Sequence, residues 1–150
     1  MKLPVALSIL LIALVTAAGS THALDYVSVA DSSAILYDAP STKAKKIFVV
    51  NRYLPLEQVV ILDGWVKVRD SSGSLAWIEK NALSNKRFVT VMATPLAIVY
   101  QAADEDAPVA FNADQQVALE WLENLGNGWV KVRDQDGTTG YLRAAEVWGD

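Results

Sequence analysis

The heptapeptide GWVKVRD occurs twice in this chain, at Gly64–Asp70 and at Gly128–Asp134. Within each heptapeptide, valines alternate with tryptophan, lysine and arginine, which is the period-two pattern of a β-strand with one buried and one wet face. The glycine-containing segments SSG and QDG follow directly after the two aspartates and are typical of hairpin turns. Each heptapeptide therefore predicts a strand that turns back into a second strand, and the chain builds this hairpin twice.

The similarity extends on both sides of the heptapeptides. AILYDA at Ala34–Ala39 matches AIVYQA at Ala97–Ala102, and GSLAWIEKNAL downstream matches GTTGYLRAAEV. The spacing changes by one residue between the upstream and the downstream matches, in a Gly/Asn turn where an insertion is tolerated. Self-similarity of this kind indicates two repeats of one unit of about 60 residues.

Short β-strands are predicted throughout both repeats. VALEWLENL consists of good helix formers, but its partner EQVVIL is β-branched, so strand is favoured over helix in both. Several short strands separated by turns favour two small barrels. The junction SNKR at residues 84–87 is too short for a free tether, so the barrels should touch in a fixed or nearly fixed relation. Besides the two hairpins, strands are predicted at Tyr26–Val29, Lys46–Val50, Leu56–Leu62, Phe88–Met92, Val109–Asn112 and Val117–Leu122.

This pattern resembles the bacterial Src-homology-3-type (SH3-like) domain. The resemblance rests on Gly-Trp-x-Lys-Val, a glycine-containing hairpin, and an aromatic-aliphatic pair, here Trp77-Ile78 and Tyr141-Leu142. It implies an all-β fold of two tandem SH3-like barrels of five strands each, at residues 24–86 and 87–150, after a cleaved signal helix. It also implies an extracytoplasmic, often non-catalytic module for binding cell wall or proteins, by analogy only, because fold does not fix function.

Eukaryotic relatives of this family bind proline-rich peptides in a groove of aromatic residues. The groove tryptophan of those domains is similar to Trp65 and Trp129, and their closing segment normally carries a proline and a tyrosine. The absence of both in each repeat argues against recognition of proline-rich peptides in the usual mode. The residues that stand in their places are Glu79, Ala82, Arg143 and Glu146.

Residues 1–23 have the features of a secretory signal peptide. Lys2 supplies a positive charge, an apolar run follows at Pro4–Ala18, and Thr21-His22-Ala23 has the small residues of a cleavage site. The run is shorter than the roughly 20 residues of a membrane span, which favours cleavage after Ala23 over a retained N-terminal anchor. The protein is then expected to be periplasmic or secreted, with membrane contact only through an uncleaved signal segment.

Composition excludes several classes of function from the predicted mature chain. The single histidine, His22, lies in the signal segment, and the sequence contains no cysteine. The commonest general base and the thiol nucleophile are therefore missing, so neither catalysis nor a metal or other cofactor is expected. Asp70 and Asp134 occupy matching places, but each is expected to bond its own turn. Without Lys2, 12 basic residues stand against 17 acidic ones, a net charge of −5, which disfavours nucleic acid as a partner.

The repeated heptapeptide allows two interpretations. In the first, its valines fill the core, tryptophan covers a barrel rim, and the cations keep the outer face soluble. In the second, an exposed or half-exposed tryptophan shares its face with the cations, stacks on a sugar or peptide, and is completed by the tyrosine of AILYDA or AIVYQA. The candidate ligand-binding residues are Tyr37, Trp65, Lys67, Arg69 and Trp77 in the first repeat, and Tyr100, Trp129, Lys131, Arg133 and Tyr141 in the second.

The loops after the two tyrosines carry opposite charge. Charge runs of this kind are usually solvated, but the acidic loop could select a basic partner, or the loops of two molecules could attract each other. A weak Ca²⁺ site in the acidic loop is disfavoured because the run lacks a full set of oxygen ligands. The basic loop contains Lys43, Lys45 and Lys46, and the acidic loop contains Asp104, Glu105 and Asp106.

Two non-catalytic functions are compatible with these residues. The first is an exported protein that recognises cell-envelope material, either peptidoglycan or its stem peptides, and the family resemblance favours it. The second is a periplasmic adaptor for protein–protein interaction or assembly. Binding to isolated sacculi would favour the first, and a specific protein partner would favour the second.

Overall fold

The computed structural model describes residues 25–150, and the predicted signal segment lies outside the described residues. The described chain is all-β, as predicted, and forms two seven-stranded antiparallel sheets. The first sheet consists of β1 (Tyr26–Val29), β2 (Ser33–Tyr37), β3 (Lys46–Asn51), β4 (Pro55–Leu62), β5 (Trp65–Arg69), β6 (Leu75–Glu79) and β7 (Leu83–Ser84). The second consists of β8 (Phe88–Val91), β9 (Leu96–Tyr100), β10 (Val109–Asp114), β11 (Ala118–Asn124), β12 (Trp129–Arg133), β13 (Thr139–Arg143) and β14 (Val147–Trp148).

The two sheets have the same topology, which confirms the two repeats. The spatial order is β3-β2-β6-β5-β4-β1-β7 in the first sheet and β10-β9-β13-β12-β11-β8-β14 in the second. Short 3₁₀ turns follow β6 at Lys80–Ala82 and β13 at Ala144–Glu146. Each repeat has seven strands rather than the five that the family resemblance implies, because its first loop folds into a hairpin of its own, β2 with β3 or β9 with β10. Within residues 25–150, no helix is long and apolar enough to cross a membrane.

The predicted strands are confirmed, with shifts of one or two residues at their ends. VALEWLENL forms strand β11 and not a helix, because it is paired on both sides, with β8 and with β12. The backbone hydrogen bonds to two neighbouring strands therefore outweigh the helix propensity of these residues.

The heptapeptides form β5 and β12, with the valines inside and the cations outside, as the alternation predicts. Their valines are almost fully buried and pack with apolar residues of neighbouring strands. The fully buried side chains include Val66, Val68, Leu56 and Ile78 in the first core, and Val130, Val132, Leu119 and Leu142 in the second.

Both hairpins after the heptapeptides are closed by their aspartates, as expected. The Oδ1 atom of Asp70 accepts hydrogen bonds from the backbone N–H groups of Ser72 and Ser74, at 2.9 and 3.0 Å. Oδ1 of Asp134 accepts one from the N–H of Thr138 at 2.9 Å. The glycines of these turns adopt φ of +86° and +90°, a conformation that side chains disfavour. These aspartates therefore serve the turns.

The two sheets are in contact through a seam of aromatic side chains, as the short junction predicts. Tyr26 of β1 meets Trp148 of β14 edge to face, with ring centroids 5.2 Å apart. Tyr53 stacks on Phe88 at 4.4 Å. The guanidinium of Arg87 lies over the ring of Tyr26 at 5.3 Å and over that of Trp121 on β11 at 4.6 Å, and donates a hydrogen bond to the carbonyl of Gly149 at 2.7 Å.

Candidate binding grooves

Each repeat carries a groove at the same place, where its first hairpin meets β6 or β13. The first groove has a volume of about 220 Å³ and the second about 320 Å³. The principal lining residues of the first groove are Asp31, Ser33, Ile35, Tyr37, Glu79 and Asn81. Those of the second groove are Leu96, Ile98, Tyr100, Glu105, Arg143 and Glu146.

Sheet register explains how the first groove is built. Tyr37 on β2 pairs with Trp77 on β6, and Trp65 on β5 pairs with Glu79 on β6. The rings of Tyr37 and Trp65 meet edge to face, with centroids 5.4 Å apart. The outward side chain of Glu79 on β6 therefore lies next to the Tyr37–Trp65 ring pair at the groove.

The second groove has the same strand pairing as the first, but the residue that pairs with its tryptophan carries the opposite charge. Tyr100 pairs with Tyr141, and Trp129 pairs with Arg143. The rings of Tyr100 and Trp129 again meet edge to face, at 5.9 Å. The guanidinium of Arg143 lies over the ring of Trp129 at 4.3 Å, and it forms an ion pair with Glu105 at 2.8 Å.

The expectation that both tryptophans are exposed or half-exposed is wrong for Trp129. Trp65 is half-buried, whereas only 4% of Trp129 is exposed. The difference follows from the cross-strand neighbour: Arg143 covers the indole of Trp129, and Glu105 holds that arginine in place. Glu79 stands in the place of Arg143 in the first repeat, and a carboxylate is repelled by the electron-rich face of an aromatic ring.

The predicted lysines lie on the outward face of the same strands. Nζ of Lys67 is 5.9 Å from the ring centroid of Trp77, and Nζ of Lys131 is 5.7 Å from that of Tyr141. Because Trp77 pairs with Tyr37 across the sheet, this lysine–aromatic pair continues the surface of the groove along β5 and β6. In each repeat the structure therefore brings together the predicted tyrosine, tryptophan, lysine and second aromatic residue.

The two predicted arginines face a different part of the molecule. Nη1 of Arg69 donates to both carboxylate oxygens of Glu57, at 3.0 and 2.9 Å. Arg133 lies 3.6 Å from Glu120, and the same carboxylate oxygen is 3.2 Å from Nζ of Lys86. Neither arginine lines a groove. Arg133 instead lines a separate cleft of about 320 Å³ at the seam.

Sequence reasoning named Tyr37 and Tyr100 of the grooves as candidate ligand-binding residues, but not the charged residues beside them. Glu79 and Arg143 were identified only as departures from the family pattern, and Asp31 was not identified at all. A usable signal was present, because Glu79 and Arg143 occupy matching places directly after the matching aromatic-aliphatic pairs Trp77-Ile78 and Tyr141-Leu142. A charge that reverses between repeats next to a shared aromatic residue indicates two grooves with different ligand preferences.

The grooves differ in electrostatic character. Within residues 25–150, Asp31 and Glu79 form no ion pair, so the first groove presents two unneutralised carboxylates. The second groove is lined by one guanidinium, that of Arg143, and by the carboxylates of Glu105 and Glu146. The described part of the chain has no cluster of three or more His, Cys, Asp or Glu residues that could hold a metal ion. The arrangement is suited to hydrogen bonding and ionic contact with a polar ligand.

The family model of the bacterial SH3 domain matches the chain twice, at residues 30–85 and 93–149. A search of curated proteins found no match.

Similar solved structures include NlpC2 and NlpC1 from Trichomonas vaginalis and an NlpC/P60 family protein from Bacillus cereus ATCC 10987. Their sequences are 13%, 16% and 17% identical to this one, with TM-scores of 0.41, 0.40 and 0.38. The matches cover 87%, 95% and 82% of this chain, but 50%, 51% and 55% of the other chains. This chain therefore spans about half the length of those proteins.

Proposed function

The chain belongs to the bacterial SH3 domain family, and on that premise we propose that it is an exported, non-catalytic binding protein. Its ligand is cell-envelope material, either peptidoglycan or the stem peptides of peptidoglycan. The observation that carries this proposal is the pair of repeat-related grooves, in each of which a tyrosine, packed edge to face on a tryptophan, lies beside a charged side chain from β6 or β13.

The chemistry of the two grooves is complementary to a peptide with free ionic groups. In the first groove, Asp31 and Glu79 can accept hydrogen bonds from an ammonium group. In the second, Glu105 engages Nε and Nη2 of Arg143, and a guanidinium has five N–H donors. The remaining donors are available to a carboxylate. A stem peptide carries both amino and carboxylate groups, and the apolar lining residues, Ile35 in the first groove and Leu96 and Ile98 in the second, add contact with its small side chains.

The non-catalytic part of the proposal is supported by the inventory of side chains. Residues 25–150 contain neither histidine nor cysteine, which supply the commonest general base and the thiol nucleophile. Asp70 and Asp134, the aspartates that the heptapeptides share, bond the backbone of their own hairpins. Export is supported by the charged start, apolar run and small-residue cleavage site of residues 1–23.

Co-sedimentation with purified sacculi tests this function. The wild-type protein should pellet with sacculi, and Glu79→Gln and Arg143→Gln should each weaken binding about tenfold, because each removes one charge-assisted contact. Glu123→Gln is the matched control, since this exposed residue of β11 lines neither groove. Pelleting that is equal in all four proteins would contradict the role of the grooves. Absence of pelleting, together with capture of one specific periplasmic protein, would support the adaptor function instead.

A further inference from the structure

The two repeats differ most in the strand that forms the outer edge of each sheet. β3 and β10 are terminal in the spatial order, so one edge of each strand has no partner strand within residues 25–150. In β3, Phe48 is 56% exposed and Val49 70% exposed. Their counterparts in β10 are Phe111, which packs against the core of its own repeat, and Asn112. A long apolar edge strand is a template for pairing with another chain unless it is covered.

Both edge strands are bordered by charges, with opposite signs. β3 has two lysines before it, begins at a third, Lys46, and is followed by Arg52, while β10 has three acidic residues before it and ends at Asp114. In the described part of the chain, these three lysines, Arg52, Asp106 and Asp114 all lack an ion-pair partner. Each edge therefore has one sign of charge at both ends: β3 is basic and β10 is acidic.

We propose that molecules of this protein associate head to tail, with β3 of one molecule pairing against β10 of the next. Because each edge carries the same sign at both ends, this pairing is complementary whether the strands run parallel or antiparallel. Pairing of β3 with another β3 would instead bring lysines against lysines or against Arg52, and pairing of β10 with another β10 would bring carboxylates together. Like charges opposite each other destabilise strand pairs.

Apolar contact between the two edges adds to the charge complementarity. The exposed Phe48 and Val49 of β3 point to opposite faces of the sheet, and each would lie beside side chains of the paired β10, in which Val109 is 51% exposed. Backbone hydrogen bonds along the shared edge supply affinity, and alternate side chains supply specificity, as in other cases of strand addition. Since each molecule has one β3 and one β10, the contact is heterologous, and it leads to a ring or an open chain rather than a closed symmetric dimer. This association does not depend on ligand binding in either groove.

The test is sedimentation velocity of the purified exported protein at low and high salt. At low salt, the wild-type sedimentation coefficient should rise with protein concentration, and about 1 M NaCl should suppress this rise because it shortens the screening length to about 3 Å. A Lys43→Glu/Lys45→Glu/Lys46→Glu variant and an Asp106→Lys/Asp114→Lys variant should each remain monomeric. An equimolar mixture of the two should associate again, because β10 of the first variant and β3 of the second are unchanged and complementary, and the two reversed edges also carry opposite charges.

The substitutions avoid side chains that support the fold or a groove. Asp104 is left intact because its Oδ1 accepts the backbone N–H of Asp106, and Glu105 is left intact because it holds Arg143. Glu123→Lys/Asp136→Lys, at exposed positions, is the control that changes the net charge as much as Asp106→Lys/Asp114→Lys does, and it should associate like the wild type. Circular dichroism verifies that each variant is folded.

The proposal is overturned if the wild type stays monomeric at all concentrations, including the case in which it binds anionic vesicles or an acidic peptide instead. It is also overturned if the folded mixture of variants fails to associate, or if the control loses association to the same extent as the reversals.

Discussion

Replacement of Arg87 by alanine should weaken the contact between the two barrels. The guanidinium of Arg87 lies between the rings of Tyr26 and Trp121, at 5.3 and 4.6 Å, and donates to the carbonyl of Gly149 at 2.7 Å. Burial lowers the pKa of this guanidinium, but arginine stays protonated at any ordinary pH. The substitution therefore removes a charged group that links both repeats and the last turn of the chain.

The size of the effect follows from these contacts. A partly desolvated cation–π contact contributes up to about 2 kcal/mol, and a hydrogen bond from a charged donor contributes about 1.5–3 kcal/mol. The second cation–π contact is longer, and Nε of Arg87 is buried without a hydrogen-bond partner in the described part of the chain, a cost that offsets part of the gain. We expect Arg87→Ala to lower the free energy of unfolding by about 3 kcal/mol.

Urea unfolding followed by circular dichroism measures this loss. Arg52→Ala is the matched control, because Arg52 also lies over an aromatic ring, that of Tyr53 at 4.9 Å, but is exposed. It should cost about 0.5 kcal/mol. A loss for Arg87→Ala below about 1 kcal/mol, or equal to that of Arg52→Ala, would refute the reasoning that the seam depends on this guanidinium.

Three other changes test the packing, the seam and the second groove. Gly140→Ala should lower the free energy of unfolding by about 1–3 kcal/mol, because the new Cβ would lie 2.6 Å from a methyl carbon of Val99 on β9. The control is Ala76→Gly at the matching place of the first repeat, which should cost about 1 kcal/mol. Equal losses in urea unfolding would contradict this difference. Burial raises the pKa of the Tyr26 hydroxyl, so this tyrosine ionises at lower pH in the unfolded state and the free energy of unfolding should fall above about pH 10. Tyr26→Phe should make this fall with pH less steep, and an unchanged pH dependence would contradict the prediction. Arg143→Ala should expose the indole of Trp129, which ¹⁹F NMR of fluorotryptophan-labelled protein detects as a larger solvent isotope shift; no change would show that the arginine does not cover the ring.

Most of the fold could be predicted from local sequence. The alternation of Val66 and Val68 with outward residues, and the position of Asp70 before a glycine turn, depend only on neighbours within a few residues. Comparison of the two repeats added information, because β11 was correctly predicted as a strand from the β-branched residues of β4, its counterpart in the first repeat. These features are local, so the chain itself contains the information that fixes them.

The remaining features depend on contacts between residues distant in sequence. Trp129 is buried because Arg143 covers it, and Arg143 is held by Glu105, which lies 38 residues earlier. The same heptapeptide leaves Trp65 half-buried, because its cross-strand neighbour is a carboxylate. Identical segments therefore acquire different exposure from their surroundings, which no reading of the segment alone can provide.

The candidate site was predicted in part for the same reason. Strand alternation correctly placed Lys67 on an outward face with an aromatic neighbour. It also placed Arg69 on that face, but could not show that both carboxylate oxygens of Glu57 on the adjacent strand accept hydrogen bonds from its Nη1 atom. The carboxylate of Asp31 joins the first groove only because the loop before β2 comes back to β6. Groove residues contributed by loops require the tertiary arrangement.

Recognition of envelope peptide by the two grooves is tested most directly by NMR titration of ¹⁵N-labelled protein with a soluble disaccharide-peptide fragment of peptidoglycan. We predict saturable shifts of the backbone amides of Tyr37, Glu79 and Asn81 in the first groove, and of Tyr100 and Arg143 in the second. Saturable shifts confined to the seam or to the hairpins after β5 and β12, or no shifts at any accessible concentration, would contradict this account.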